Sequence, residues 1–180
     1  MATEMFPVER LGPADFDEAM DLLNLVFSMS SRPHDFARIL PKIYRPDELS
    51  MRANLAIRRE GKIRAIVGLF PMDLSVGGQI LKSGGIGGVA THPRETGSGM
   101  MKQLMNTALA EMKAGGFALS VLGGQRQRYG YYGYEKAGSS LHFDLSKTNI
   151  RHFYRDRPEP DYRFMPIGSA DQAALDLMRS

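Results

Sequence analysis

A strand, a helix and a second strand follow one another between residues 79 and 122, and this succession constrains the fold more than any other feature. From about residue 98 to 114, apolar residues recur every three or four positions and polar residues occupy the opposite side, which predicts an amphipathic helix. The apolar run at 117–122 is bounded by glycines and predicts a buried strand. Because a helix that joins two strands of one sheet makes a right-handed crossover, these strands are predicted to be parallel.

The segments that precede this unit predict an antiparallel meander. Apolar and polar residues alternate over 53–58, residues 63–75 are apolar and rich in β-branched side chains, and residues 79–90 provide a third strand. Glycine-containing turns at 60–61 and 77–78 separate the three strands. With the crossover added, the sequence predicts an α/β fold with a mixed central β-sheet flanked by helices.

Further elements are predicted on both sides of the meander and the crossover. A short strand at 6–11, an amphipathic helix at 15–27 and an irregular helix at 34–44 come first. Residues 134–146 alternate and predict a final strand. That strand would place three large apolar residues on one face: Leu141, Phe143 and Leu145.

The domain organisation is read from length and composition. A chain of 180 residues is ample for one core, and residues 1–148 are predicted to form the main domain. Residues 149–161 are rich in Arg and Pro and are interpreted as a linker, and 162–180 as a C-terminal strand and helix. Two interpretations of that last segment stay open: a truncated second copy of the opening unit, which it echoes, or a helix that docks on the sheet.

Composition argues against several classes of function. The absence of Cys excludes disulfides, thiolate metal sites and Cys nucleophiles, and the four His are scattered, so no metal site is predicted. The net charge is only +3, and acidic residues interrupt the arginines of 151–163, so we expect no nucleic-acid partner. No apolar run is long enough to cross a bilayer and no secretion signal is evident, so a cytoplasmic protein without a membrane partner is expected.

The candidate binding site is the loop that joins a strand to the strongest helix, at 89–100. The first turn of a helix leaves backbone N–H groups unpaired and carries a positive partial charge, which suits a phosphate. Gly97 and Gly99 would let a ligand approach the main chain, and Arg94 adds a cation. These glycines alone are a weak signal, because such glycines more often mark only a simple turn. Residues 85–90 also match the glycine pattern of dinucleotide-binding loops. Pro93 separates them from the helix, however, so no helix begins at these glycines and a dinucleotide site is excluded.

The sequence resembles the GCN5-related N-acetyltransferases (GNAT) in two motifs. These are Arg94-x-x-Gly97-x-Gly99 after a strand, and the run GQRQRYGYYGY at 124–134. More narrowly, it is similar to the N-terminal module of the enhanced-intracellular-survival (Eis) type acetyltransferases, in which a comparable run leads into residues like those at 141–145. The resemblance covers about residues 4–150.

The resemblance implies an acyl-CoA N-acyltransferase fold, acetyl-CoA as co-substrate and direct transfer of acetyl to a primary amine in a ternary complex. The acceptor would be a small molecule or a peptide. Backbone groups of Val89, Ala90 and Thr91 would hold the pantetheine arm. Tyr129 would protonate the departing thiolate, a role that suits a phenol, which is protonated at neutral pH. The pyrophosphate would lie against the loop residues Arg94, Thr96, Gly97, Ser98, Gly99 and Met100.

Departures from the family pattern keep alternatives open. Residues 83–90 contain no carboxylate, although many relatives use one there as the base, so the base is unassigned. Glu95 would repel a pyrophosphate and is expected to point into solvent. Eis-type enzymes are longer, and their further domains contribute to the acceptor side and to homo-oligomer contacts. The alternative function is therefore a catalytically silent CoA-binding or protein-interaction module, in which Tyr129 is only a packed aromatic.

Overall fold

The computed structural model describes residues 5–29, 32–138, 141–157, 166, 168 and 171–179. Contacts divide the chain into two units, Met1–Lys136 and Ala137–Ser180. The first unit contains one five-stranded sheet. Its strands are β1 (Val8–Arg10), β2 (Asn54–Arg59), β3 (Lys62–Val76), β4 (Gln79–Thr91) and β5 (Leu119–Leu122).

Helices surround this sheet in the first unit and supply the regular structure of the second. The first unit holds α1 (Phe16–Ser28), α2 (Phe36–Ile39), α3 (Glu48–Arg52), α4 (Met100–Ala114) and α5 (Arg126–Tyr129). Short 3-10 turns lie at Pro13–Asp15, Pro93–Glu95 and Gly130–Tyr132. The second unit holds α6 (Lys147–Tyr154) and α7 (Gln172–Arg179).

The strands lie in sequence order, with β1 to β4 antiparallel and β5 parallel to β4. The parallel pair is the one that α4 connects, as a crossover requires. The prediction of a mixed sheet flanked by helices is confirmed. The irregular helix expected at 34–44 is reduced to the single turn of α2, and α3 was not anticipated.

Both faces of the sheet are buried over its central part. Ile66 of β3 belongs to the cluster that packs against α1, which includes Leu23. Its neighbour Val67 belongs to the cluster on the opposite face, where α4 contributes Leu104 and Met105. Consecutive strand residues point to opposite faces, so a strand covered on both sides is apolar at every position. This two-sided core holds β3 and β4 rigidly beneath the site described below.

The strand predicted at 134–146 is wrong for the residues that the structure describes there. Residues 134–138 and 141–146 contain no strand, and residues 139–140 lie outside the described part. Leu141, Phe143 and Leu145 are 79–81% exposed. Alternation supplies the period of a strand, but a strand also needs a neighbour that satisfies its backbone groups. Within the described chain no such neighbour pairs with this segment.

The second unit begins its regular structure at a capping box. The Ser146 hydroxyl accepts a hydrogen bond from the Asn149 N–H (3.1 Å), and Asn149 Oδ1 accepts one from the Ser146 N–H (3.0 Å). The helix α6 that follows occupies part of the segment interpreted as a linker. The strand expected before α7 falls largely outside the described residues. The truncated second copy and the predicted domain boundaries therefore stay predictions.

Arg58 of β2 ties three segments of the first unit together. Its Nε donates to Glu9 on β1 (2.6 Å), its Nη1 to Glu18 on α1 (2.7 Å) and its Nη2 to Asp15. The second oxygen of Glu18 accepts the N–H of Ile63 (3.0 Å). Burial alone would raise the pKa of Glu18, but the hydrogen bonds from Arg58 and Ile63 outweigh burial and hold that pKa below its usual value.

Replacing Arg58 by Met should lower the free energy of unfolding by about 1–2 kcal/mol at neutral pH, because three carboxylates lose their cation. A carboxylate with a lowered folded-state pKa stabilises the fold above its unfolded-state pKa, and this contribution is lost as the pH falls through the folded-state value. The difference between wild type and R58M should therefore shrink as the pH falls from about 6 to about 3. Urea denaturation over that range measures it, and a constant difference would contradict the assignment.

Candidate functional site

An irregularity in β4 opens the site. Ile66 of β3 lies opposite Ala90, whereas Gly68 lies opposite Gly87, so β4 carries one residue more than its partner between these pairs. Such an insertion is a β-bulge, which bends the strand and disrupts pairing. The parallel pairing with β5 ends at Ile86, immediately before the bulge. Beyond Ile86 no described strand lies beside β4 on that side, and the two strands leave a cleft.

Gly88 occupies the bulge for two independent reasons. Its φ is +57°, a left-handed conformation that side chains with a Cβ rarely adopt. A Cβ at this position would also lie 2.5 Å from the hydroxyl oxygen of Tyr44 and 3.4 Å from Leu23 Cδ2. Tyr44 is 3% exposed, and burial raises its pKa to about 12. A neutral hydroxyl is therefore held against the backbone of the bulge.

The loop after β4 is shaped by its own short turns. The ring of His92 accepts a hydrogen bond from the N–H of Arg94 (3.2 Å) at the start of the Pro93–Glu95 turn. Gly97 and Gly99 follow with φ of +85° and +88°, and Gly99 is the N-cap of α4. A glycine N-cap has no side chain to satisfy the first amides of the helix. The Met100 N–H donates to Ser98 Oγ (3.5 Å), and the N–H groups of Met101 and Lys102 that follow have no acceptor among the described residues.

Four backbone amides around this helix start have no acceptor among the residues that the structure describes. They belong to Gly97, Gly99, Met101 and Lys102. The hydroxyl oxygen of Thr91, on the adjacent end of β4, is buried and likewise has no partner in the described part of the chain. Donors at a helix N-terminus, reinforced by the helix dipole, form an environment that an anion would stabilise.

Two cavities flank the bulge, both within the first unit. The loop cavity, of about 600 Å³, runs along residues 96–101. The bulge cavity, of about 480 Å³, lies over residues 85–89 and reaches α5. Val89 and Arg128 line both cavities. Both volumes fall in the range of small-molecule and cofactor sites.

The structure gathers most of the predicted binding residues around one space. The loop cavity is lined by Val89, Thr91, Thr96, Gly97, Ser98, Gly99 and Met100. Ala90, by contrast, is 2% exposed, packs in the core on the α1 side and lines neither cavity. Arg94 lies exposed on its turn and lines neither cavity.

The expectation that Glu95 points into solvent is wrong. The Glu95 side chain is only 13% exposed, lines the loop cavity and accepts a hydrogen bond from Arg59 of β2 (3.0 Å). The guanidinium supplies a positive charge beside the carboxylate, so repulsion of an anion in the cavity is reduced. This pairing connects residues 36 positions apart, which sequence spacing gives no means of predicting.

Tyr129 is the last residue of α5 and lines the bulge cavity. It is 7% exposed, and its ring lies edge-on to Tyr134 at 6.5 Å between centroids. Gly124 leaves room for the ring, because a Cβ there would lie 2.7 Å from it. Burial raises the pKa of Tyr129, although the positive charge of Arg128 partly offsets this effect. Tyr129 is thus both a packed aromatic and a protonated phenol at a cavity wall.

Sequence reasoning missed the aromatic residues that line the bulge cavity together with Tyr129. Phe36, Tyr44 and Phe70 form a run of edge-to-face ring contacts, with centroid separations of 5.3 and 6.0 Å. All three line the bulge cavity. Phe36 and Tyr44 lie in the segment around α2, whose helical pattern is weak. Their spacing in the sequence has no period that predicts a shared wall.

No described helix is long and apolar enough to span a membrane. No group of three or more His, Asp or Glu residues in the described part of the chain is placed to hold a metal ion.

A family model described as an acetyltransferase (GNAT) domain matches residues 7–137. This range includes the sheet, the loop cavity, the bulge cavity and Tyr129. No curated protein sequence matches the chain.

Several solved structures share the fold. A GNAT family acetyltransferase from Brucella melitensis, in complex with acetyl-CoA, has a TM-score of 0.61 and 20% identity, over 73% of this chain and 84% of that one. A probable N-acyltransferase from Enterococcus faecalis has a TM-score of 0.60 and 22% identity, over 73% and 33%. A GCN5-related N-acetyltransferase from Anabaena variabilis has a TM-score of 0.57 and 23% identity, over 71% and 31%. The chain spans about a third of the length of the last two.

Gly88→Ala should lower the free energy of unfolding by about 2–4 kcal/mol, because it adds strain at positive φ to a clash with Tyr44. Gly77→Ala is a matched control, since Gly77 has φ +56° and nothing within 4 Å of its Cβ position. The control should lose only about 1 kcal/mol. Adding Tyr44→Phe to G88A should recover part of the difference in urea denaturation. Equal losses in the two single variants would show that Tyr44 does not confine the bulge.

Proposed function

The chain belongs to the acetyltransferase (GNAT) domain family, and we propose that it is an N-acetyltransferase that moves acetyl from acetyl-CoA to a primary amine. The observation that carries this proposal is the set of amides at the start of α4 that have no acceptor among the described residues, beside a strand bulge that opens a cleft. Among the solved structures of this fold, the Brucella melitensis acetyltransferase and a Clostridium acetobutylicum acetyltransferase are described with acetyl-CoA.

The residues present fit the cofactor that the family implies. The pyrophosphate would accept hydrogen bonds from the open amides of Gly97, Gly99, Met101 and Lys102, where the helix dipole favours an anion. The backbone of Val89–Thr91, freed from β5 by the bulge, would take the amide groups of the pantetheine arm. The Thr91 hydroxyl offers a further polar contact. The pairing of Glu95 with Arg59 reduces the repulsion that this carboxylate would exert on an anion.

The reaction is proposed to be direct, because the chain has no Cys to carry the acetyl group. The amine nitrogen attacks the carbonyl carbon, the C–N bond forms, and the C–S bond breaks with its electron pair on sulfur. Tyr129 gives its phenolic proton to that sulfur and regains a proton from water, which also takes the proton lost by the amine. Burial of Tyr129 raises its pKa and keeps the phenol protonated before transfer.

The narrower family likeness and the setting of the protein are also proposed. We infer that the chain corresponds to the N-terminal module of an Eis-type acetyltransferase, which its coverage of about a third of two longer structures supports. A small-molecule or peptide amine as acceptor, a cytoplasmic location, the absence of nucleic-acid and membrane partners and formation of a homo-oligomer stay predictions.

A second candidate is a CoA-binding or protein-interaction module that does not turn over. The observation in its favour is the same coverage, because the match spans only about a third of each of those two longer structures. Both candidates require acetyl-CoA to bind, and turnover distinguishes them.

Lys102→Pro should weaken acetyl-CoA binding about tenfold relative to Lys102→Ala. Both variants lose the lysine charge, but only proline removes the Lys102 amide, which has no acceptor within the described chain. Proline is tolerated in the first turn of a helix, so the thermal midpoints of the two variants should be similar. Isothermal calorimetry measures the affinity. Equal affinities would remove this amide from the pyrophosphate site, and no heat with wild type would refute the proposed function.

Tyr129→Phe should lower kcat about a hundredfold while acetyl-CoA affinity is retained, because the leaving thiolate loses its acid. Tyr131→Phe is the matched control, as Tyr131 lies in the same turn but is 91% exposed. Thiol release from acetyl-CoA with a panel of primary amines measures the rate. Equal rates in the two variants would exclude Tyr129 as the acid. Binding without turnover of any amine by wild type would favour the silent module.

A further inference from the structure

The bulge cavity has an aromatic wall that the chemistry of acetyl transfer does not require. Phe27 contacts Phe36 edge-on at 4.8 Å between centroids, and the run continues through Tyr44 to Phe70. All four rings line this cavity. A wall of packed rings binds by burial of apolar surface and by ring contacts, and it offers little to a hydrated polar chain.

The charges around the bulge cavity disfavour a cation. No carboxylate is among the residues that line it in the described chain, and its one charged lining side chain there is the cation Arg128. Glu95 lines the other cavity and is already paired with Arg59. An ammonium group moved into this space would lose water without gaining a counterion, and Arg128 would repel it.

Tyr44 presents a neutral hydroxyl beside the bulge, and Gln125 and Tyr129 are the other uncharged polar side chains of the lining. The Tyr44 hydroxyl lies against Gly88, and it has no hydrogen-bond partner in the part of the chain that the structure describes. This oxygen can accept an N–H from an uncharged amine. Because the hydroxyl stays neutral, it cannot replace the missing carboxylate as a counterion for an ammonium.

We infer that the acceptor is a primary amine that is uncharged at neutral pH and is carried on an apolar, ring-sized body, an arylamine being the simplest case. This inference rests on the proposed function and names the substrate class of the same site. It also accounts for the absence of a carboxylate at 83–90, since a neutral amine already has its lone pair free. After attack on the carbonyl carbon, its surplus proton passes to water. Polyamines and other polycations are excluded as good acceptors.

Two isomeric amines separate charge from size. The arylamine 4-ethylaniline is neutral at pH 7, and 2-phenylethylamine has the same atoms but is cationic. Calorimetry on the CoA-saturated protein and on the protein alone should show 4-ethylaniline binding about tenfold more tightly than its isomer, and spermidine more weakly still. Thiol release from acetyl-CoA should rank kcat/KM for the three amines in the same order.

Met72 permits a gain-of-function variant with a matched control. It lines the bulge cavity on β3 and is 41% exposed, so substitutions there should be compatible with folding. Met72→Glu would supply the missing counterion and should shift the ratio of affinities about tenfold toward 2-phenylethylamine. Met72→Gln, of similar shape and no charge, should leave the ratio unchanged. Acetyl-CoA affinity, measured for both, reports an intact fold.

The outcomes distinguish this inference from the function on which it rests. If wild type binds acetyl-CoA but binds or acetylates spermidine or 2-phenylethylamine as well as 4-ethylaniline, the substrate class is wrong and the acetyltransferase stands. Absence of any 4-ethylaniline binding also refutes the substrate class. If acetyl-CoA does not bind, the proposed function fails. The relative affinities of the three amines for the protein alone then still test whether the bulge cavity prefers an uncharged, apolar amine.

Discussion

The extra residue in β4 is the constraint on which the rest of the site depends. It lies between the pairs Ile66–Ala90 and Gly68–Gly87, and it ends the parallel pairing with β5. A sheet normally satisfies its backbone groups strand against strand, so a bulge leaves groups that a ligand can use. Because Tyr44 presses on Gly88, the bulge is fixed by packing from outside the sheet. One backbone irregularity therefore creates both the cleft and its two cavities.

Electrostatics divide the two cavities between two kinds of ligand group. The loop cavity has open amides, a helix N-terminus and a carboxylate already neutralised by Arg59. The bulge cavity has rings, a neutral hydroxyl and Arg128. The first suits a charged phosphate and the second an uncharged apolar body, and Val89 borders both. The acetyl donor and the amine acceptor can thus meet at the bulge, although one is recognised through its charged phosphates and the other through its uncharged apolar body.

Sequence reasoning predicted the elements whose signal is local. The helix α4 and the strands β3, β4 and β5 follow from periodicity, and the loop at 93–99 from the position of its glycines. Sequence reasoning failed for residues whose position is set by a tertiary contact. Glu95 is turned inward by Arg59, and the alternating residues at 141–145 form no strand because no described segment pairs with them. The bulge was also beyond prediction, since a glycine-rich strand reads the same with or without it.

The residues that could be predicted are those proposed to bind the cofactor. The residues that could not be predicted are those proposed to bind the acceptor. The groups proposed to hold the cofactor are backbone amides of a loop and helix start, and their placement requires only local turn chemistry. The proposed acceptor wall comes from α1, α2, the segment after α2, and β3, and it is assembled by ring contacts between residues distant in sequence. None of these rings belongs to the loop and helix start that supply the amides, and of the four only Tyr44 also confines the bulge at Gly88. Substitutions in the aromatic wall can therefore change the acceptor while the cofactor site is retained. For the same reason, motifs in the sequence identify the cofactor site and not the acceptor site.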